Sequence, residues 1–401
     1  MDIPVYLDNH ATTRTDPRVL EAMIPFFGEI YGNASSRTHA FGWKAQEALE
    51  HARAEVAAAI GAAPEEIVFT SGATESDNLA VFGAAEALRE RGDHIVATAV
   101  EHHAVLDPLK ALERRGFSTT LVRPDSTGRI DPEAVAAAIT AKTILVSVMA
   151  ANNEIGTINP LCEIGRAVRA RGVLFHTDAA QAAGKIPLRV DDIQADLLSI
   201  SGHKIHGPKG IGALFVRRRG RPVRILPIIH GGAQERGLRP GTANVPGAVG
   251  LGAALRLAVK DMDAEAARIR TLRDRLHHSI TERLDGVSLN GHPEERLPGS
   301  LSLSFAGVHG EALLISLKDL AVSSGSACTS ATVEPSYVLR ALGTSAELAL
   351  ATIRFGVGRF NTEEEIDFAA RRVVETVLGL REMARVMAPR RAGGALGRER
   401  L

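Results

Sequence analysis

The stretch ILVSVMAANNEIGTINPLCEIGRAVRARGVLFHTDAA, Ile144–Ala180, decides the fold class. A short apolar run, Ile144–Met149, breaks into the polar group Asn152, Asn153 and Glu154. An amphipathic helical pattern follows over Leu161–Arg171, then a second apolar run, Val173–Thr177. Runs this short read as strands and the longer periodic segment as a helix. The same alternation extends outward. Glu66–Thr70, His94–Ala99, Leu197–Ile200 and Gly212–Val216 are further strand candidates, and Glu75–Arg91, Ala104–Arg115 and Pro132–Ala141 are further helices. Strands separated by helices predict an α/β unit with a mostly parallel sheet sandwiched by helices.

Near Met262 the pattern changes. A charged helix over Ala264–Leu284 precedes strand-like Ser300–Phe305, a helix near Glu311–Leu317, the short apolar Ala321–Ser323 and a last helix from Thr362. This is expected to be a smaller α+β domain, residues 261–388, completed by residues 1–14, beside a large domain over 15–260. The Arg- and Gly-rich residues 389–401 are expected to be a disordered tail.

Of the 401 residues 45% are hydrophobic and 23% charged, ordinary for a globular protein. Lys+Arg and Asp+Glu stand at 47 each, so no net field favours DNA or an anionic membrane. The start, MDIPVYLDNHATT, has no basic-then-apolar signal pattern, and no apolar run reaches a membrane span. Two cysteines, Cys162 and Cys328, fit a reducing compartment better than a disulfide framework. A cytoplasmic protein is expected.

In open parallel sheets ligands bind beyond the carboxyl ends of the strands. Four such ends carry unusual polar residues: Glu101, His102 and His103; Asn152, Asn153 and Glu154; His176, Asp178 and Gln181; Ser201, His203 and Lys204. SGATESDN, Ser71–Asn78, is a small-residue turn feeding a helix, a place where unpaired N–H groups favour an anion. Lys204 follows a strand directly, a position suited to a Schiff-base lysine, whereas Lys209 reads as an ordinary surface lysine. The histidines do not fit a zinc spacing, so no metal is expected. Cys328 sits in SSGSACTSATVEPSYVLRALG, Ser323–Gly343, where few apolar side chains are available to pin the chain, so an exposed, mobile thiol is expected before a helix near Glu334-Pro335. Cys162, beside Leu161 and Ile164, reads as a buried, inert cysteine.

These motifs resemble the NifS/IscS-type cysteine desulfurases of the class V aminotransferase group, which are fold-type I pyridoxal-phosphate enzymes. The resemblance runs from YLDNHATT (Tyr6–Thr13) to GRFNTEEEID (Gly358–Asp367), through FTSGATESDN, VEHHAV, NNEIG, HTDAAQ, SGHKIHGPKG and GGAQERGLRPGT. It implies that Lys204 binds pyridoxal 5'-phosphate as a Schiff base and then takes the substrate α-proton. His102 stacks on the ring and also moves protons, Asp178 pairs with the ring nitrogen, and Gln181 bonds the phenolate oxygen. Asn153 helps hold ring and substrate, while Ala73, Thr74, Ser201 and His203 surround the phosphate. Thr242 reaches the phosphate of a neighbouring subunit, so a homodimer with shared sites is implied. Arg354 clamps the carboxylate of L-cysteine.

Cys328, as thiolate, receives the sulfur as a persulfide and L-alanine leaves. This sulfurtransferase would feed iron–sulfur cluster assembly through a scaffold protein or another acceptor, with tRNA thiolation as a further destination. Selenocysteine lysis or aminotransfer on the same scaffold are the nearest alternatives, but neither needs Cys328. A non-catalytic scaffold leaves the Lys204, Asp178, His102 and Cys328 set without a task, and a cysteine hydrolase would not use Lys204 and Asp178. Two departures stand out. Pro240 occupies a position more often Ser in the family, and the end after Met383 lacks the aromatic-rich finish of members that dock iron–sulfur scaffolds.

Overall fold

The computed structural model describes residues 3–324 and 334–387. Ile67–Thr70 (β1), His94–Thr98 (β2), Ser118–Val122 (β3), Thr143–Ser147 (β4), Leu174–Asp178 (β5), Leu197–Ser201 (β6) and Gly212–Val216 (β7) form one sheet. Its order is β1-β7-β6-β5-β4-β2-β3. The run β3-β2-β4-β5-β6 is parallel throughout, and β7 alone runs antiparallel to its neighbours, β6 and β1. A loop rather than a crossover helix joins β6 to β7, and only an antiparallel neighbour can be reached so directly.

Successive residues of each inner strand face opposite cores, as the two-residue strand period requires. Ile67, Val146, Phe175, Leu198 and Phe215 enter one core with Ala40–Ile60 (α1), Leu161–Ala170 (α5) and Val245–Lys260 (α6). Val68, Leu145, Leu174, Leu197 and Leu214 enter the other with Ala73–Ala87 (α2) and His103–Glu113 (α3). Pro132–Ala138 (α4) packs beside α5 through Val135. Both faces are covered, which explains why the inner strands read as continuous apolar runs.

A third core gathers Met262–Thr281 (α7), Val287–Asn290 (β8), Ser300–Phe305 (β9), Thr352–Gly356 (β10) and Glu363–Met387 (α8). Its sheet, β10-β9-β8, is antiparallel. Val5–Tyr6 pairs parallel with Leu320–Ala321, and Val5 and Leu7 are buried in this core. The α/β class with a mostly parallel sheet and a smaller α+β unit is therefore as the alternation implied.

Some expectations need correction. β3 is an edge strand, largely exposed, whose sequence STTLV lacks an apolar run; pairing with β2 defines it. The helix expected over Pro132–Ala141 stops at Ala138, where Ile139 turns extended. The helix expected near Glu334-Pro335 starts at Tyr337, where the Ser336 side chain caps it. The 389–401 tail lies outside the described residues. Among the described residues no helix is long and apolar enough to cross a membrane.

Candidate active site

The carboxyl ends of β1, β2, β4, β5 and β6 share one edge of the sheet and open into a cleft of about 620 Å³. Ala73 and Thr74 reach it at the start of α2, His102 at the start of α3, and Asn153 in the loop after β4. Asp178 ends β5, Gln181 follows it, Ser201 ends β6, and His203 and Lys204 sit on the single turn beyond. Arg354 enters from β10. Ten of the twelve expected site residues thus line one cleft. Lys209 is exposed but stands on the same rim.

Local structure fixes each group. Gly72 precedes α2 at φ +153°, a conformation L side chains rarely adopt, and leaves that helix start without a side-chain cap. A Cβ added there would point toward the Ser201 Oγ at 3.9 Å, so the glycine keeps the space before the helix open. Glu75, in the first turn, accepts from the Ser71 N–H and pairs with Arg239 at 3.0 Å, which offsets its charge. His102 caps α3, its Nδ1 accepting from the Ala104 N–H at 3.1 Å. That assigns the neutral-ring proton to Nε2, and burial holds the imidazole below its usual range. Asp178 accepts from the Ala180 N–H at 2.8 Å; burial first, then Asp77, raises its carboxyl to about 6.

The N-terminal segment crosses the cleft, which the sequence alone did not disclose. Lys204 Nζ donates to the carbonyls of His10 and Ala11, each at 2.7 Å. His10 Nδ1 meets Gln181 Oε1 at 3.1 Å, and Gln181 Nε2 donates back to the His10 carbonyl at 2.9 Å. Thr12 Oγ1 lies 3.1 Å from His203 Nδ1. Arg354 donates to Asp8 Oδ1 at 2.9 Å and to the Asn153 carbonyl at 3.0 Å, while its Nε is buried without a partner. Asp8 Oδ2 in turn accepts from Ser323 Oγ at 2.9 Å. Asp8 and His10, polar residues packed into the short motif LDNHATT, were the available signal for this role.

A second group escaped sequence reasoning. Asp77, Glu101 and His176 lie fully buried beneath Asp178. His176 bridges Ser147 at 2.8 Å and Ser199 at 3.1 Å, and burial raises the Asp77 carboxyl to about 7 and the Glu101 carboxyl well above its usual value.

Two expected residues remain, one of them, Thr242, expected at the phosphate of a neighbouring subunit. Thr242 is exposed and absent from the lining of this chain's cleft. Cys328 lies outside the described residues. The described flanks of its segment are tied down, Ser323 to Asp8 and Ser336 to the Glu154 carboxylate, and the Tyr337 hydroxyl donates to the Glu101 carbonyl. Cys162, expected to be buried, is exposed on α5; partial burial, Glu163 and Asp192 still push its thiol up, away from the reactive thiolate.

Residues 5–368 match the class-V aminotransferase family, nearly the whole described chain. The chain belongs to that family. Within the class-V aminotransferases it is 58% identical over 384 residues to a cysteine desulfurase IscS of Anaeromyxobacter dehalogenans, covering 96% of this chain and 95% of that relative. It is 54% identical over 381 residues to the cysteine desulfurase of Homo sapiens, covering 95% of this chain and 83% of the human protein. Among solved structures, a NifS-like protein superposes with a TM-score of 0.87 at 40% identity, covering 94% of this chain and all (100%) of that one. The structure titled SspA in complex with cysteine superposes with a TM-score of 0.79 at 36% identity, covering 89% of this chain and 100% of that one.

Proposed function

We propose that this class-V family member is a pyridoxal-phosphate-dependent cysteine desulfurase, converting L-cysteine and the Cys328 thiol into L-alanine and a Cys328 persulfide. The observation that carries the reading is the convergence of Lys204, Asp178, His102 and Arg354 on one cleft, in a chain whose relatives bear that name. The residues fit the cofactor. Gly72 keeps the start of α2 open for a phosphate, Asn153 Oδ1 is buried without a partner, and the Asp178 carboxyl, pushed up by burial and by Asp77, lines the cleft as an acceptor for a ring N–H. Bound there, the cofactor supplies an electron sink at the substrate Cα.

The chain's own groups do the rest. Ala73, Thr74, Ser201 and His203 hold the phosphate; Asp178 holds the ring N–H and Gln181 the ring oxygen. His102, neutral and carrying its proton on Nε2, covers the ring. The Nε edge of Arg354 takes the substrate carboxylate, with Asp8 and the Asn153 carbonyl fixing the plane of the guanidinium. Lys204 Nζ accepts the α-proton. Cys328 Sγ attacks the substrate sulfur, an S–S bond forms, and the Cβ–S bond breaks with its electron pair leaving to carbon.

The active unit is a homodimer. Phe27, Tyr31, Phe41 and Trp43 are all more than half exposed, the Tyr31 and Phe41 rings meet at a tilt with centroids 5.4 Å apart, and Trp43 shares a groove with Ala233 and Gln234, close in sequence to Thr242. A second copy over this face would cover the aromatics and bring Thr242 to its partner's phosphate. Sulfur passes from Cys328 to a scaffold or carrier protein for iron–sulfur cluster assembly, in the cytoplasm. The core around α7, β8–β10 and α8 with residues 1–14 acts as a small domain, 261–388, against a large one, 15–260.

The test is mass spectrometry of Cys328 after the holoenzyme meets L-cysteine, with alanine quantified in parallel. One extra sulfur on Cys328 is expected, and Cys328→Ser should keep the cofactor's absorbance but neither store sulfur nor sustain turnover. Desulfuration by that variant at the parental rate, or no cofactor uptake by the parent, would overturn the reading.

A further inference from the structure

Behind Lys204 lies a second, smaller chamber of about 50 Å³. His10 and Lys204 line both it and the cleft, and so form the wall between them. The chamber has room for water but not for a substrate. Lys185 projects into it. Four residues after Gln181, its Nζ donates to Gln181 Oε1 at 3.2 Å, the same oxygen that meets His10 Nδ1 at 3.1 Å. A lysine ammonium only donates and a carbonyl only accepts, so Lys185 and the His10 carbonyl together fix which end of the amide faces inward, and His10 then donates from Nδ1. Gln181 Nε2 spends one hydrogen on the His10 carbonyl and has one left on the cleft side.

We propose that Lys185 is a positioning residue of this active site: it holds the Gln181 amide with its N–H toward the ring oxygen of the cofactor, and it places its amine in the chamber bordered by Lys204. The proposal rests on the desulfurase reading for the identity of the cofactor. The groups facing Lys185 come from every element around the chamber. They are Lys204 beyond β6, Arg354 of β10, Glu265 of α7 and His10 of the N-terminal segment, with His206 and Arg359 on the further walls. Burial lowers the Lys185 amine to about 7; Lys204 adds to this, Glu265 opposes it and Arg354 adds again. His10 is held neutral by its own burial. Lys185 therefore gains or loses its charge near neutral pH, one side chain away from a group that touches the cofactor.

The test uses the holoenzyme and two variants, reading the visible absorbance of bound pyridoxal phosphate against pH and the cofactor dissociation constant. The parent should show an absorbance step near pH 7. Lys185→Met should lose that step and bind cofactor about tenfold more weakly, the scale of one lost hydrogen bond to a charged group. Lys185→Arg keeps a donor and a permanent charge, so it should hold cofactor within about twofold of the parent while also losing the step. A general loss of packing would not restore affinity in the arginine variant alone.

Parental affinity in Lys185→Met, or a step that survives in either variant, overturns the proposal. Thermal unfolding of each cofactor-free variant checks folding. If the methionine variant does not fold, the arginine variant decides by the presence or absence of the step. A parent that takes up no pyridoxal phosphate refutes the function itself, an outcome separate from a loaded parent whose variants behave like it.

Discussion

Asp178 shows how a single residue's task is set by what surrounds it. Its carboxyl stands at about 6 because it is buried above Asp77, with one backbone N–H in partial compensation. Only the ionised form can hold a protonated ring nitrogen, so cofactor uptake by the cofactor-free protein should weaken as pH drops through about 6, while a bound ring N–H carries the carboxyl below that value. Asp178→Asn should remove the pH dependence of uptake and lower kcat about 10- to 100-fold, the size of a charge-assisted hydrogen bond; cofactor titrations against pH and steady-state alanine formation by both proteins check it. Arg354 makes a complementary case. Its fork is divided between Asp8, the Asn153 carbonyl and the bare Nε. Lysine preserves the charge but cannot span these partners. Arg354→Lys should therefore raise KM for L-cysteine by about tenfold or more while kcat changes less, measurable by steady-state alanine formation.

At the scale of elements, the start of α2 and the two flanks of the 325–333 segment matter most. Gly212 of β7 packs so closely behind Gly72 that a Cβ there would lie 2.6 Å from the Gly72 Cα, so strand and helix start fix one another. On the later flank, Ser336 both caps the helix Tyr337–Ala341 and donates to Glu154. Burial raises the Glu154 carboxyl to about 7, with Ser336 and Arg354 pulling the other way. A carboxyl whose pKa is higher folded than unfolded stabilises the fold fully below its unfolded pKa and loses that contribution as pH rises through the folded value. This part of the stability should therefore decline between about pH 4.5 and 7. Glu154→Gln keeps an acceptor for Ser336 without titrating, and should flatten the fall of the Tm of the cofactor-free protein over that range.

For the whole molecule, the N-terminal segment is the strap between the cores. Leu7 is buried with β9 and β10, while the Thr13 and Asp16 N–H groups bond the His203 and His206 carbonyls beside Lys204. In the proposed dimer the exposed aromatics form the interface. Sedimentation of the parent should give twice the chain mass, and Tyr31→Asp combined with Phe41→Asp should give monomers that lose cofactor, because Thr242 then has no second phosphate to reach. A monomeric parent with full cofactor affinity would contradict the shared site.

Six of the seven strands of the main sheet were legible because both faces of the inner strands are covered, so burial wrote itself as apolar runs. β3 was not: it is largely exposed, so its side chains carry no apolar run and pairing with β2 defines it, whereas β1, at the opposite edge, is buried along its length. The polar residues at the strand ends were legible for the complementary reason: Lys204, Asp178, His102 and Asn153 interrupt runs that packing alone would have kept apolar. Sequence by itself thus determined the class of fold, the edge at which chemistry gathers, and the resemblance that gives Cys328 its task. Only the tertiary structure joined Asp8 to Arg354 across 346 residues, laid His10 against Gln181, and put Lys185 behind Lys204. Those pairings depend on how three cores close on the N-terminal strap, and contacts so distant along the chain leave no periodicity in it.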